Sequence, residues 1–232
     1  MIEYSTNPSR VSTDTLLNYN LEDFLTLSEQ NTYHKKNQST KLCWALGRLA
    51  AKKSIQDYFI KIGLEISLLQ IEIDNRPTGV PFFRILPSRS GEWKLVSHIF
   101  LSISHCKNWA VANCVPTEEI EGLGVDIEKI RDFSDETIRS FLTTEEYELY
   151  LKISDLEKPK FATLYWSIKE SFLKALGTGI RTHPRHVSID QSGTNTFTIC
   201  FSKLHYTKKP IVFYKLLEGS YIMTNTIIPR PQ

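Results

Sequence analysis

The chain has little cysteine, almost no net charge and no long hydrophobic run. Its four cysteines form no Cys-x-x-Cys pair, so neither a zinc site nor a disulfide framework is indicated. The 28 Lys and Arg residues nearly balance the 26 Asp and Glu residues and leave a net charge of +2. That balance argues against a surface devoted to nucleic acid.

The absence of long apolar segments bears on where the protein works. No window reaches the length of an apolar membrane span, and the polar stretch from Met1 to Thr15 lacks the apolar core of a signal peptide. Cysteines without disulfide spacing suit a reducing compartment. We therefore expect a cytoplasmic protein that has no membrane partner and no nucleic-acid partner.

Two segments carry the chemistry, and the first has the pattern of a strand, Gly-Val-Asp-Ile-Glu. Side chains alternate between the two faces of a strand, so Val125 and Ile127 would enter a core while Asp126 and Glu128 converge on an open side. Two carboxylates so close repel each other unless a cation lies between them. Taken alone, the pattern is more typical of an ordinary strand with exposed acids.

The second segment has the pattern of a helix, with apolar residues at helical spacing from Phe161 to Leu176 and glycines directly after them. Glu170 and Lys174 are four residues apart and therefore share a face. By themselves these two residues would be read as a surface salt bridge.

Glu170 follows Asp126 by 44 residues. The two segments at this spacing, Gly124-Val125-Asp126 and Trp166-Ser167-Ile168-Lys169-Glu170-Ser171-Phe172-Leu173-Lys174, resemble the signature of the 4′-phosphopantetheinyl transferases. Every fixed position of that signature is filled. The likeness extends to further segments between about residue 38 and about residue 190, namely 38–48, 75–77, 102–112 and 141–147.

The length of the chain resembles the Sfp type of this family, which implies an α+β fold. Two similar α/β subdomains would form a pseudo-dimer with the active site between them. Residues 1–118 would form the coenzyme A side, and residues 119–232 would carry the metal-binding and catalytic groups. We see no literal repeat in the sequence, so the two similar halves rest on the resemblance. We expect a monomer, because one chain would supply both halves.

Periodicity and turn residues predict individual elements. Helices are expected over 39–62, 134–151 and 161–176, with Lys158 and Pro159 as a break before the third. Strands are expected over 64–73, 99–104, 109–115, 123–128, 187–190, 196–201, 211–217 and 221–228.

The resemblance implies an activity. Such an enzyme moves phosphopantetheine from coenzyme A to a serine hydroxyl of an apo acyl or peptidyl carrier protein and releases 3′,5′-ADP. Asp126, Glu128 and Glu170 would bind Mg²⁺, with Mn²⁺ as an alternative, because these metals prefer carboxylate oxygens. Lys174 would add positive charge at the diphosphate. The carrier protein could belong to fatty-acid, polyketide or nonribosomal-peptide synthesis.

Other residues receive roles on the same basis. Glu146 would act as the general base, with Glu145 as the alternative if the register is one residue off. Contacts to the coenzyme are expected from Thr40, Arg76, Ser104 and His105. Lys169 lies about 100° round the helix from Glu170 and is expected only to shield or pack.

Two departures from the family pattern are visible. The connection between Arg76 and Ser104 is long, and it would be a plain hairpin or a contact to the protein substrate; it includes Arg84, Pro87, Arg89, Gly91 and Trp93. The basic run before Thr40 is reduced to three residues, 34–36, which leaves open how the adenosine end of the coenzyme is held.

Three alternatives remain. The adjacent His105 and Cys106 could suggest a cysteine hydrolase, although a base is normally brought in from elsewhere in the chain. Three carboxylates could serve a magnesium-dependent nuclease, which the near-neutral charge disfavours. A non-catalytic relative that binds coenzyme A or a carrier protein is the main alternative, and Glu170→Gln separates it from an enzyme because only an enzyme would lose turnover.

Overall fold

The computed structural model describes residues 8–86, 92, 94–193, 196–201 and 209–230. The chain divides into two compact units, Met1–Glu118 and Glu119–Gln232. Helices and antiparallel strands occur in both units, which confirms the α+β class. Within the described part of the chain, no helix is long and apolar enough to cross a membrane.

The first unit contains four helices and six strands among its described residues. In chain order they are β1 (Ser9–Ser12), α1 (Thr13–Leu16), α2 (Leu21–Phe24), α3 (Leu27–Lys35), α4 (Gln38–Lys61), β2 (Ile71–Asn75), β3 (Pro81–Ile85), β4 (Lys94–Val96), β5 (Ile99–Cys106) and β6 (Trp109–Pro116). Helix α4 packs on the sheet β1-β6-β5, and a second sheet has the order β2-β3-β4. The middle of α4 is buried almost all round, from Ala45 to Lys52, so it forms the centre of this core.

The second unit contains three helices and five strands among its described residues. They are β7 (Ile120–Lys129), α5 (Asp135–Phe141), α6 (Thr144–Lys152), α7 (Lys158–Ala175), β8 (Val187–Gly193), β9 (Thr196–Phe201), β10 (Ile211–Leu217) and β11 (Tyr221–Pro229). Helix α7 packs on β7 and β11 of the antiparallel sheet β10-β11-β7, while β8 and β9 form a separate hairpin. Apolar side chains of α7, including Ile168 and Phe172, fill the core of this unit.

Three predicted elements differ from the structure. The helix expected over 134–151 is two helices, because Leu142 and Thr143 are extended and Thr143 caps α6. Pro159 does not precede α7 but lies in its first turn, where the missing N–H is tolerated. The strand expected over 64–73 begins only at Ile71, after a short 3₁₀ turn.

The long connection before Ser104 begins as a hairpin. Arg84 lies on β3, where its guanidinium forms an ion pair with Glu72 of β2 at 2.5 Å. Pro87, Arg89, Gly91 and Trp93 lie outside the described residues. A contact from this connection to a protein substrate therefore stays a prediction.

Candidate active site

Two glycines on β7 determine how closely α7 can approach. A Cβ atom at Gly124 would lie 1.8 Å from the carbonyl oxygen of Ser171, and one at Gly122 would lie 2.2 Å from that of Ala175. Neither position can accept a side chain without moving the helix backbone. Because residues two apart share a strand face, this glycine face also carries Asp126 and Glu128.

The carboxylate face of β7 is therefore not the open side that the sequence predicts. Helix α7 covers it, and the side of Val125 and Ile127 is buried too. Asp126 is only 3% exposed, and Glu128 is half-buried. The expectation of an open side is wrong because alternation along a strand does not reveal a helix that glycines admit to one face.

Helix α7 presents polar groups to these two carboxylates. The ammonium group of Lys174 lies 2.8 Å from Oδ1 of Asp126 and also donates to the carbonyl oxygen of Val125 at 3.1 Å. The indole N–H of Trp166 donates to Oε1 of Glu128 at 3.2 Å. Strand and helix segments of the signature thus meet in one small polar region.

Hydroxyl pairs also hold α7 to β11. Ser167 pairs with Thr224 at 2.9 Å, and Ser171 pairs with Thr226 at 2.7 Å. All four side chains are buried. The signature serine at position 171 therefore has a structural function, since it fixes α7 against the sheet one residue after Glu170.

Burial and mutual repulsion act on the acids of this region. The pKa of Glu170 is raised chiefly by burial, and the charges of Asp126 and Glu128 raise it further, whereas Lys174 lowers it. Burial also raises the pKa of Glu128, and Asp126 adds to that effect. The negative charges of the three carboxylates therefore repel one another, and a cation placed among them would be favoured.

The donor set suits a hard divalent cation, because it consists of carboxylate oxygens. As the side chains stand, no group of three His, Cys, Asp or Glu residues within the described ranges is arranged to hold a metal ion. Lys174 instead supplies the positive charge next to Asp126. The chemistry of the residues fits Mg²⁺, and their roles as ligands stay predictions.

The predicted general base, Glu146, lies in a buried ion pair, and its role as a base stays a prediction. It is 2% exposed, and its Oε2 forms an ion pair with Lys169 at 2.5 Å. Oε2 also accepts from the backbone of Thr143, while Oε1 accepts from the backbone of Ile189. These are the contacts of a structural carboxylate. The alternative, Glu145, is exposed.

Lys169 is fully buried and donates to the carbonyl oxygen of Phe141 at 2.8 Å as well as to Glu146. Burial lowers the pKa of this lysine, and the charge of Glu146 opposes that effect. It is a core residue with a defined acidic partner, which sequence reasoning missed because that partner lies 23 residues away.

The residues expected to contact coenzyme A belong to the first unit. His105 is exposed near the end of β5, and its Cδ2 lies 3.6 Å from the place of a Cβ atom at Gly47 of α4. Ser104, the preceding residue, is buried. Thr40 is exposed in the first turn of α4 and donates to the carbonyl oxygen of Asn37. The structure thus places His105 against the helix that carries Thr40.

Arg76 lies in the turn between β2 and β3, where it is exposed and its guanidinium stands over the ring of Phe82 at 5.6 Å. That turn belongs to the other sheet of the unit. The coenzyme-binding roles of Thr40, Arg76, Ser104 and His105 stay predictions.

A cationic and aromatic cluster near the start of α4 escaped the sequence analysis. Trp44 lies between Lys36, at 5.3 Å from its ring centre, and Arg48, at 4.7 Å. Lys41 stands over the ring of Tyr33 at 5.4 Å. The i,i+4 spacing of Trp44 and Arg48 was the available signal. The cluster offers positive charge beside the short basic run 34–36.

Comparisons with known proteins identify related sequences. Residues 122–225 match the family model of the 4′-phosphopantetheinyl transferase superfamily. The chain is 34% identical over 113 residues to the 4′-phosphopantetheinyl transferase HetI of a Nostoc species, which covers 48% of this chain and 44% of that protein. It is 32% identical over 92 residues to the holo-[acyl-carrier-protein] synthase of Bacillus pumilus, covering 39% of this chain and 71% of that protein.

A holo-(acyl-carrier-protein) synthase from Bacillus anthracis, solved in complex with coenzyme A (3′,5′-ADP), aligns with a TM-score of 0.43 and 16% identity, covering 49% of this chain and 99% of that one. The chain spans less than half the length of two curated relatives it matches, HetI and the 4′-phosphopantetheinyl transferase gsp of Aneurinibacillus migulanus.

Proposed function

Because this chain belongs to the 4′-phosphopantetheinyl transferase superfamily, we propose that it transfers 4′-phosphopantetheine from coenzyme A to a serine of an apo acyl or peptidyl carrier protein. The observation that supports this most directly is the meeting of β7 and α7, where Lys174 lies 2.8 Å from Asp126 and the three signature carboxylates influence one another.

The reaction is a phosphoryl-type transfer. The serine oxygen attacks the β-phosphorus of the coenzyme's diphosphate, and the bond from that phosphorus to the bridging oxygen breaks. The bridging oxygen leaves with the electron pair as part of 3′,5′-ADP, and the serine proton passes to a base. Such reactions depend on positioning and charge neutralisation more than on covalent catalysis.

Asp126, Glu128 and Glu170 would hold Mg²⁺ or Mn²⁺, and the bound metal would neutralise diphosphate oxygens. The rigid support of these carboxylates comes from the close contact of α7 with Gly122 and Gly124. Trp166 orients Glu128 through its indole N–H.

Lys174 acts as a mobile cation. In the structure it binds Asp126 and the backbone of Val125, and its side chain is 27% exposed. A diphosphate and a metal at the carboxylates would free its ammonium group to contact a phosphate oxygen of the coenzyme. This change of partner would place positive charge where negative charge develops on the leaving group.

Binding of the coenzyme is assigned to the first unit. His105 and Ser104 would bind phosphate, and Thr40 and Arg76 would contact the adenosine phosphate region. The exposed position of His105 next to α4 supports this assignment. Positive charge beside Trp44 comes from Arg48 on the same helix and from Lys36 just before it.

We further infer a monomer, and a cytoplasmic location. No disulfide joins the four cysteines, which suits a reducing compartment. The expected position of the active site between the two halves stays a prediction.

Intact-mass analysis of an apo carrier protein tests the reaction. Incubation with this protein, coenzyme A and Mg²⁺ should increase the carrier mass by one phosphopantetheine group, and EDTA should prevent the increase until Mg²⁺ or Mn²⁺ is restored. Glu170→Gln should abolish the gain, because it removes a charged ligand while keeping the shape of the side chain.

The same assay distinguishes the non-catalytic alternative. A protein that binds coenzyme A in calorimetry but modifies none of several carrier proteins would be a binding relative, and the proposed transfer would be wrong. Activity that is indifferent to chelation would contradict the metal assignment.

A further inference from the structure

The two units contain an equivalent buried ion pair that shares three backbone contacts. In the first unit, Glu29 pairs with Lys52 at 2.6 Å, and Glu29 also accepts from the backbone of Thr26 and of Ile73. Lys52 in turn donates to the carbonyl oxygen of Phe24 at 2.6 Å. Both charged side chains are at most 3% exposed.

The second unit repeats each of these contacts. Glu146 pairs with Lys169 and accepts from the backbone of Thr143 and of Ile189, while Lys169 donates to the carbonyl oxygen of Phe141. In both units the glutamate closes a capping box with the threonine that precedes the helix. One pair thus joins a helix start, a long helix and a strand in each unit.

A short sequence repeat underlies this likeness. Phe-Leu-Thr-x-x-Glu occurs at Phe24–Glu29 and again at Phe141–Glu146, and Lys52 and Lys169 follow at the same distance. Each residue of the first copy precedes its counterpart in the second copy by 117 residues. The expectation that the chain has no literal repeat is therefore wrong. The repeat escaped notice because it joins six adjacent residues to a lysine more than twenty positions later.

The same spacing shows what the first unit lacks. Counting back 117 residues from the acids at 126, 128 and 170 leads to Ser9, Val11 and Lys53. The contact corresponding to Asp126–Lys174 is between Ser9 and Asp57, whose side chains are 3.0 Å apart. The first unit thus keeps the ion pair of the scaffold and has no carboxylate at the three predicted metal-binding positions.

We propose that the Glu146–Lys169 pair positions the predicted metal-binding face of α7, and that Glu146 is not the general base. This inference rests on the proposed function. Lys169 directly precedes Glu170, so fixing its ammonium group between Glu146 and Phe141 fixes the rotation of α7 at that point. Glu146 is 2% exposed and both of its oxygens already accept hydrogen bonds inside the core, so a substrate hydroxyl would not reach them.

The paired variants Glu146→Gln/Lys169→Met and Glu29→Gln/Lys52→Met test this proposal. Each removes both charges of one pair. In the second unit this avoids leaving a single buried charge, whereas in the first unit Arg48, at 3.9 Å from Glu29, stays charged. Mn²⁺ affinity, titrated by electron paramagnetic resonance in the presence of coenzyme A, reports on the metal-binding groups independently of turnover. Thermal unfolding reports on the scaffold.

We expect both double variants to lose thermal stability. Only the second-unit variant should weaken Mn²⁺ binding, by about tenfold or more, as expected when groups that orient metal ligands are removed. Its rate of transfer should recover when Mn²⁺ is raised. Wild-type Mn²⁺ affinity in the folded Glu146→Gln/Lys169→Met variant, or equal weakening in both double variants, would overturn the proposal.

The single variant Glu146→Gln distinguishes positioning from base catalysis. A base would lose turnover at every Mn²⁺ concentration while metal affinity stayed unchanged, and that result would overturn the proposal but not the transferase activity. If the second-unit double variant does not fold, Lys169→Arg keeps the charge and shifts its geometry. It should weaken Mn²⁺ binding severalfold, and unchanged binding would overturn the proposal.

Failure of the wild-type protein to modify any carrier would count against the proposed function. The comparison of Mn²⁺ affinities would still test the positioning proposal, because it does not depend on turnover.

Discussion

At the scale of single residues, the approach of α7 to β7 depends on the absence of a side chain at two positions. Gly124 lies against the backbone of Ser171, and Gly122 lies against that of Ala175. The signature glycine is therefore a packing requirement of the site, because any larger residue would push the helix and its carboxylate away from Asp126.

We predict that Gly124→Ala lowers the free energy of unfolding by about 3 kcal/mol, because the added carbon would overlap the helix backbone. Metal-dependent activity should fall with it. The control is Gly47→Ala, where a Cβ atom would meet neighbours no closer than 3.4 Å. That variant should be unchanged or stabilised by up to about 1 kcal/mol. Chemical denaturation measures both, and equal stability of the two variants would contradict the packing argument.

Cysteine reactivity also differs by position. Burial raises the pKa of the Cys114 thiol to about 12, and its Sγ contacts the carbonyl oxygen of Ser54 at 3.0 Å. Cys200 is exposed on β9. Since the thiolate is the reactive form, iodoacetamide at pH 8 should modify Cys200 in the native protein and leave Cys114 intact until urea unfolds the chain. Peptide mapping would show this, and rapid native labelling of Cys114 would contradict its burial.

At the scale of elements, Leu142 and Thr143 separate α5 from α6, and Thr143 caps the second helix. Thr143 accepts a hydrogen bond from the backbone of Glu146, and Glu146 accepts one from the backbone of Thr143. This capping box stops one helix and starts the next, and it turns Glu146 inward to Lys169. The same arrangement in α3 turns Glu29 to Lys52.

We predict that Thr143→Ala lowers the free energy of unfolding by about 1 kcal/mol, because the N-cap hydroxyl is lost. Thr144→Ala provides the matched control, since Thr144 is exposed and follows the cap. It should change stability by less than about 0.5 kcal/mol. Thermal or urea unfolding distinguishes them, and a neutral Thr143→Ala variant would show that the cap does not stabilise α6.

At the scale of the whole molecule, two compact units each have their own core. Residues of α4, the sheet β1-β6-β5, β2 and β3 contribute to one, and residues of α5, α7 and β8 to β11 contribute to the other. Equivalent buried ion pairs occur in both units, but only the second unit has acidic residues at positions 126, 128 and 170. The two units thus share a scaffold while the predicted metal-binding groups belong to the second.

We predict that the protein is a monomer, because one chain carries two units of related construction. Light scattering coupled to size exclusion should give a molar mass close to 26.8 kDa across a tenfold range of concentration. A mass two or three times larger would show that copies assemble.

Local sequence patterns predicted some helices and strands correctly and missed others. The strand around Asp126 and the helix around Glu170 were predicted because periods of two and 3.6 are local properties of a sequence. The prediction of one helix over 134–151 was wrong at Leu142 and Thr143, which are extended. It failed because Phe141 and Leu142 continue the apolar pattern of a helix. Strand β1 was not predicted, because its four residues gain their structure by pairing with β6, some hundred residues later.

The sequence by itself determined the family, the α+β class and the residue types of the predicted site, because signature positions and local periodicity are written in the order of residues. Only the tertiary structure decided that α7 covers the carboxylate face and that Lys169 is buried against Glu146. Only the structure showed that the ion pair of the second unit recurs in the first. These features depend on contacts between distant parts of the chain, where close packing and the cost of burying an unpaired charge select the partners.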